Sequence, residues 1–119
     1  MADFIAVGFG GFIGAVLRYL IMTVKIRDCG FPVKTLLINV MGAFVIGLIT
    51  AAVVKNYPIN PKLVLFLKVG ICGGFTTFST FALETVNLLQ NGRILWALAY
   101  VILSAVLSIA AVAAAEFLY

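Results

Sequence analysis

Four long apolar stretches separated by short polar connectors make up nearly the whole chain. They run from Phe4 to about Val24, from about Thr35 to Val54, from Leu63 to about Leu89, and from Ile94 to near Tyr119. Each reaches the roughly 20 helical residues needed to cross a hydrocarbon core of about 30 Å. Alternation of period two is absent, which argues against a membrane barrel. The connector at 90–93, Gln-Asn-Gly-Arg, reads as a tight helix–helix turn. Pro32, Pro58 and Pro61 all fall in or beside connectors, where the missing N–H costs least. No linker divides the chain. The pattern predicts an all-α membrane protein, a single domain over 1–119 with four transmembrane helices.

Composition supports bilayer rather than water as the main solvent. The 119 residues are 65% hydrophobic and 10% charged, against about half apolar and a quarter charged in soluble domains. The net charge of +4 comes from basic residues lying mostly between spans: Lys25, Arg27, Lys34, Lys55, Lys62 and Arg93. These read as headgroup anchors, and no basic run is long enough to follow a nucleic-acid backbone. There is no histidine, so the commonest haem ligand and the usual general base are missing. Cys29 in a connector and Cys72 in a span have no CxxC spacing, so neither zinc nor a disulfide is expected. Only Met1, Ala2 and Asp3 precede the first apolar run, which is no basic leader, and Ala2 in place of glycine excludes myristoylation.

The charge balance leaves orientation open. With the N-terminus inside, Lys55, Lys62 and Lys68 are inside, and Lys25, Arg27, Lys34 and Arg93 are outside. The positive-inside rule normally gives a clear bias. Two readings remain: a single orientation set by small differences, or insertion both ways with opposed copies pairing about an axis in the membrane plane.

The third span carries the chemistry. Residues 70–81 read Gly-Ile-Cys-Gly-Gly-Phe-Thr-Thr-Phe-Ser-Thr-Phe. Glycine costs a helix up to ~1 kcal/mol relative to alanine, so this run predicts a break near mid-membrane. Carbonyls from the first half-helix and N–H groups from the second must then be buried in protein or line a cavity. In an antiparallel homodimer two such breaks meet, and their converging carbonyls favour a small cation. A side chain at Gly73 is expected to disturb that arrangement by altering the backbone path.

The remaining polar inventory suits an anion. Thr35 and Asn39 are one helical turn apart, as are Thr80 and Glu84, and Tyr100, Ser104 and Ser108 form one stripe. Hydroxyls and amides donate hydrogen bonds. Phe78 and Phe81 flank Ser79 and Thr80, and an aromatic edge carries partial positive charge; on composition alone, ordinary apolar packing is the simpler reading of the two rings. Arg18 either snorkels to the headgroups or draws anions into a vestibule. Glu84 either orients the hydroxyls or is a solvated helix end. The pairs Gly10/Gly14, Ala43/Gly47 and Gly70/Gly74 read as helix-packing surfaces.

The run Gly-Gly-Phe-Thr-Thr-Phe-Ser-Thr-Phe at 73–81, continuing through Glu84, closely resembles the signature of the Fluc family of fluoride channels. Asn39 in Thr-Leu-Leu-Ile-Asn, Arg18 in Gly-Ala-Val-Leu-Arg-Tyr and the Tyr100, Ser104, Ser108 stripe support the likeness. The resemblance implies a dual-topology homodimer with two fluoride pores in a bacterial inner membrane. It implies that Asn39, Phe78 and Phe81 contact or flank the ion, and that Thr35, Ser79, Thr80, Glu84, Tyr100, Ser104 and Ser108 belong to a polar track or its surroundings. It further implies a central sodium ion on the backbone carbonyls of Gly73 and Thr76. The function implied is passive fluoride export. A small proton-coupled multidrug exporter needs a carboxylate in the first span, where this chain has only Asp3 at the end. A haem-binding membrane anchor lacks its histidines. A fluoride–proton antiporter differs from a channel in its dependence on a proton gradient.

Overall fold

The computed structural model describes residues 1–27, 29–55 and 58–118. Tyr119, taken above as the end of the fourth span, lies outside the described residues. Helix α1 is Ala2–Thr23 and α2 is Val33–Val54. The third span opens with α3 (61–75), an α-helical turn Pro61–Val64, a π-helical segment Leu65–Cys72 and a last α turn Gly73–Phe75. It resumes as α4, Phe78–Gln90, and α5 is Ile94–Leu118. Four helical stretches are long and apolar enough to cross a membrane. The longest dimension is 50 Å, matching a bilayer of about 40–45 Å with its headgroups. Large apolar side chains such as Phe4, Phe9, Phe12 and Ile109 are exposed around the periphery, as lipid-facing positions are. The molecule is a multi-pass integral membrane protein.

Local chemistry sets the ends of the helices. Pro61 occupies the first turn of α3, where its missing N–H is no loss, and the Asn60 side chain accepts from the Lys62 N–H at 2.9 Å. Likewise α2 starts directly after Pro32, two residues before the sequence pattern suggests. The Lys34 ammonium donates to the Met22 carbonyl at 3.0 Å, tying the start of α2 to the end of α1. At the 90–93 turn Gly92 has φ 75°, a left-handed conformation that glycine adopts without strain.

The small residues bring backbones together. A Cβ added at Gly10 would collide with the Phe66 carbonyl oxygen and sit 2.9 Å from the Gly70 Cα. One at Gly74 would lie 2.6 Å from the Gly11 carbonyl oxygen. Thus α1 lies directly on α3 through Gly10, Gly14, Gly70 and Gly74. Gly47 does the same for α2 against Val112 and Ala115 of α5. In lipid, such close contact replaces the hydrophobic drive that water would supply.

The break is narrower than the glycine run suggests. Gly70, Gly73 and Gly74 are helical, and only Thr76 and Thr77 are extended, at φ −78°, ψ 154° and φ −148°, ψ 117°. The glycines serve packing, and the threonines form the break.

A packing test follows. Gly10→Val should abolish the folded protein in mild detergent, because backbone rather than a movable side chain occupies the space. Gly8→Val, with nothing within 4 Å of the added Cβ, should leave thermal stability within about 1 kcal/mol of the parent. Equal stability of the two variants in a thermal melt would contradict this packing.

Candidate functional site

A helix interrupted in mid-membrane must place its backbone hydrogen bonds somewhere. In an unbroken helix Thr77 N–H would donate to the Gly73 carbonyl. Here it donates to Asn39 Oδ1 at 2.9 Å, and Asn39 Nδ2 donates to the Thr77 carbonyl at 3.1 Å. The side-chain amide of α2 thus pairs with a backbone residue as a strand neighbour would. The Thr77 hydroxyl accepts from Thr80 N–H at 3.2 Å and donates to the Thr80 hydroxyl at 3.0 Å, capping α4. At the end of α3, Thr76 N–H and its hydroxyl both donate to the Cys72 carbonyl. Arg18 Nε donates to the Gly74 carbonyl at 3.2 Å.

These substitutions leave a defined remainder. The Gly73 and Thr76 carbonyls lose the amides of Thr77 and Thr80 that helical continuity would give them. Phe78 and Ser79 supply the first N–H groups of α4, which have no intrahelical acceptor. A negative helix end and a positive helix end therefore meet halfway along the third span.

Beside the break lies an open groove of about 650 Å³, lined by Asn39, Cys72, Gly73, Thr76, Thr77, Phe78, Phe81, Ser104 and Ser108 among others. The Ser104 hydroxyl is buried with no hydrogen-bond partner among the described residues. Phe78 is 79% exposed at this lateral opening, and its ring centroid lies 5.5 Å from that of Phe81. Phe81 in turn packs at 5.1 Å on Tyr100. Past Tyr100 the polar path changes character: its hydroxyl donates to Glu84 Oε1 at 3.0 Å, and the fully buried Thr35 lies beside it.

The residues singled out in the sequence thus fall into three sets. Asn39, Gly73, Thr76, Phe78, Phe81, Ser104 and Ser108 share the groove. Thr35, Glu84 and Tyr100 cluster beyond Phe81. Arg18, Ser79 and Thr80 serve the break itself, Arg18 by capping α3 and Thr80 by engaging Thr77; Ser79 Oγ is 3.4 Å from Thr77 Oγ1. Neither sequence reading of Arg18 anticipates its bond to Gly74. Of the two readings of Glu84, the geometry gives the one in which it accepts from a hydroxyl. Gly73 differs from expectation: its φ is −63° and ψ −38°, and an added Cβ meets nothing within 4 Å. A side chain there changes no backbone path within one chain. Thr77 was missed, though a threonine three residues before Thr80 at a helix start is a recognisable N-cap signal.

Residues 5–115 match the family described as CrcB-like protein, Camphor Resistance (CrcB). The chain is 52% identical over 106 residues to the fluoride-specific ion channel FluC of Ruminiclostridium cellulolyticum, covering 87% of this chain and 82% of the relative. It is 42% identical over 115 residues to the protein of that name from Elusimicrobium minutum, covering 94% and 89%. With the one from Serratia proteamaculans it shares 43% over 105 residues, covering 87% and 83%.

The pairing of Asn39 with Thr77 gives a direct prediction. Asn39→Ala leaves both polar groups of Thr77 without partners, each costing about 1–3 kcal/mol. Asn39→Asp keeps the acceptor for Thr77 N–H but loses the donor, and should be intermediate. Equilibrium unfolding in micelles should rank the parent above Asn39→Asp and that above Asn39→Ala; identical stabilities would contradict the pairing.

Proposed function

The chain belongs to the CrcB-like family, and we propose that it is a fluoride-selective channel giving passive export of fluoride from the cytoplasm. It is a transport protein rather than an enzyme. The observation that carries the reading is the unpartnered Ser104 hydroxyl facing the same groove as the Phe78 and Phe81 rings and the free end of α4. Hydroxyl protons, backbone N–H groups and ring edges together hold a small, strongly hydrogen-bonding anion without a full positive charge to trap it. That balance lets an ion enter and leave. Ser108 extends the groove, and Thr35, Tyr100 and Glu84 continue the path beyond Phe81. Fluoride entering as the neutral acid ionises in a less acidic cytoplasm. A negative interior then drives the anion outward by about 2.3 kcal/mol per 100 mV.

In this reading the working unit is an antiparallel homodimer in a bacterial inner membrane, with two pores. The groove is open along its side, and Gly73 is exposed with free space over its Cα; a second copy closes both. The carbonyls of Gly73 and Thr76, freed from helical partners, suit a sodium ion. Among the described residues no group of His, Cys, Asp or Glu could hold a metal, so the donors are backbone oxygens. A sodium ion bound there supplies the positive charge that opposed carbonyl dipoles require and stabilises the pair without permeating. The multidrug-exporter alternative has little to work with, since Asp3 is exposed and sits 3.4 Å from the Lys62 ammonium.

Fluoride and chloride efflux from proteoliposomes tests the reading. The parent should pass fluoride and exclude chloride. Phe78→Ile and Phe81→Ile keep the positions apolar but remove the ring edge, so folding should change by less than about 1.5 kcal/mol while fluoride flux falls at least tenfold. Comparable chloride flux, or unchanged fluoride flux in both variants, would overturn it. Gly73→Val should leave each chain folded but weaken the dimer, read by cross-linking in the membrane.

A further inference from the structure

The fully buried Tyr100 does two things at once: its ring packs on Phe81 and its hydroxyl donates to Glu84. One wall of its surroundings comes from a segment that belongs to no helix. Phe31, in the connector between α1 and α2, makes a T-shaped contact with Tyr100, 5.6 Å between centroids and 82° between planes. The same ring lies 6.0 Å from Trp96, one turn before Tyr100 on α5. Backbone chemistry on both sides fixes Phe31 there. A residue before proline is confined to extended conformations. Pro32, at φ −77° and ψ 68°, then centres an inverse γ-turn in which Val33 N–H donates to the Phe31 carbonyl at 2.8 Å. On the other side Gly30 has φ 80°, and a Cβ added to it would collide with the Arg93 guanidinium. That guanidinium lies 5.0 Å from the Trp96 ring centroid, a cation–π contact that ties the connector to the start of α5.

Resting on the channel reading, we propose that Phe31 is a positioning residue for conduction: it touches no ion and acts by holding the Tyr100 ring so that the Tyr100 hydroxyl stays on Glu84. The space around it makes this hold necessary. Cavities of about 280 Å³ and 270 Å³ are both bordered by Phe31 and Pro32, and both extend to Glu84. Removing the Phe31 ring joins them and gives Tyr100 room to turn away from Glu84. An aliphatic side chain fills part of that space, but it lacks the directional edge-to-face attraction between rings. The connector thus takes part in the path although Phe31 stands in no helix and in no polar stripe.

Two readouts on one set of proteins test this: fluoride efflux from proteoliposomes, and solid-state NMR with tyrosine labelled at the ring carbon that bears the hydroxyl. The set is the parent, Phe31→Leu, Phe31→Tyr, Tyr100→Phe and the double variant Phe31→Leu/Tyr100→Phe. The Tyr100 signal is identified by its loss in Tyr100→Phe. Phe31→Leu should lower flux about fivefold, the size of one lost ring contact, and should shift the Tyr100 signal. Phe31→Tyr keeps a ring and should restore most of the flux. In the Tyr100→Phe background the change from Phe31 to leucine should alter flux by less than about twofold, because the hydroxyl that Phe31 positions is gone. Phe31→Met, whose unbranched side chain fills irregular space, gives the same ringless comparison where leucine destabilises the protein. An equal fold loss in both backgrounds, or an unmoved Tyr100 signal in the ringless variants, overturns the proposal while leaving the channel. A parent that passes no fluoride overturns the channel reading, and the Tyr100 signal still shows whether Phe31 positions it.

Discussion

The structure turns on one constraint: an interrupted helix in hydrocarbon cannot leave its backbone polar groups bare. Asn39 meets most of it at a single residue. Its amide takes both the N–H and the C=O of Thr77, so the chain passes through two extended residues without exposing Thr77 to lipid. Each group left unsatisfied would cost about 1–3 kcal/mol, so the pair together outweighs the ordering of one short side chain. With Thr77 held, Thr76 turns back on Cys72 and Thr77 caps α4. What stays unpaired then includes the Gly73, Phe75 and Thr76 carbonyls on one side and the first N–H groups of α4 on the other.

Packing around the break depends on residues with almost no side chain. Gly10, Gly14, Gly70 and Gly74 let α1 lie on α3 backbone to backbone. That closeness is what puts the Arg18 guanidinium on the Gly74 carbonyl, a cation at the negative end of α3. Gly42 plays the matching part on α2, where an added Cβ would collide with the Thr76 methyl. A side chain at Gly42 would push Thr76 away, and with it the neighbouring Asn39–Thr77 pairing.

Much of this is legible in the sequence because it rests on composition and spacing. Hydropathy places the four spans, and prolines and a glycine turn mark most of their ends. The run from Gly70 to Phe81 shows that the third span is interrupted. What that run conceals is which residues break. Glycine's poor helix propensity points to Gly73 and Gly74, yet tertiary contact with α1 keeps them helical and leaves the break to Thr76 and Thr77. Asn39 reads as an ion ligand because nothing local connects it to a backbone group 38 residues away. The π-helical segment 65–72 has no signal in spacing, since its apolar residues fit an α-helix as well.

From the groove to the connector, the proposed path runs past the Phe78 and Phe81 rings to the Tyr100, Thr35 and Glu84 cluster. Donors outnumber full positive charges along it. In the reading proposed above, such a path conducts fluoride down its own gradient and couples to no other ion. The most direct measurement is the reversal potential of the purified protein in a planar bilayer under a fluoride gradient. The account predicts a current that reverses at the fluoride equilibrium potential, about 59 mV for a tenfold gradient of a monovalent ion, and that does not shift when a proton or sodium gradient is added. Fluoride movement without current, or a reversal potential that follows the proton or sodium gradient, would contradict it.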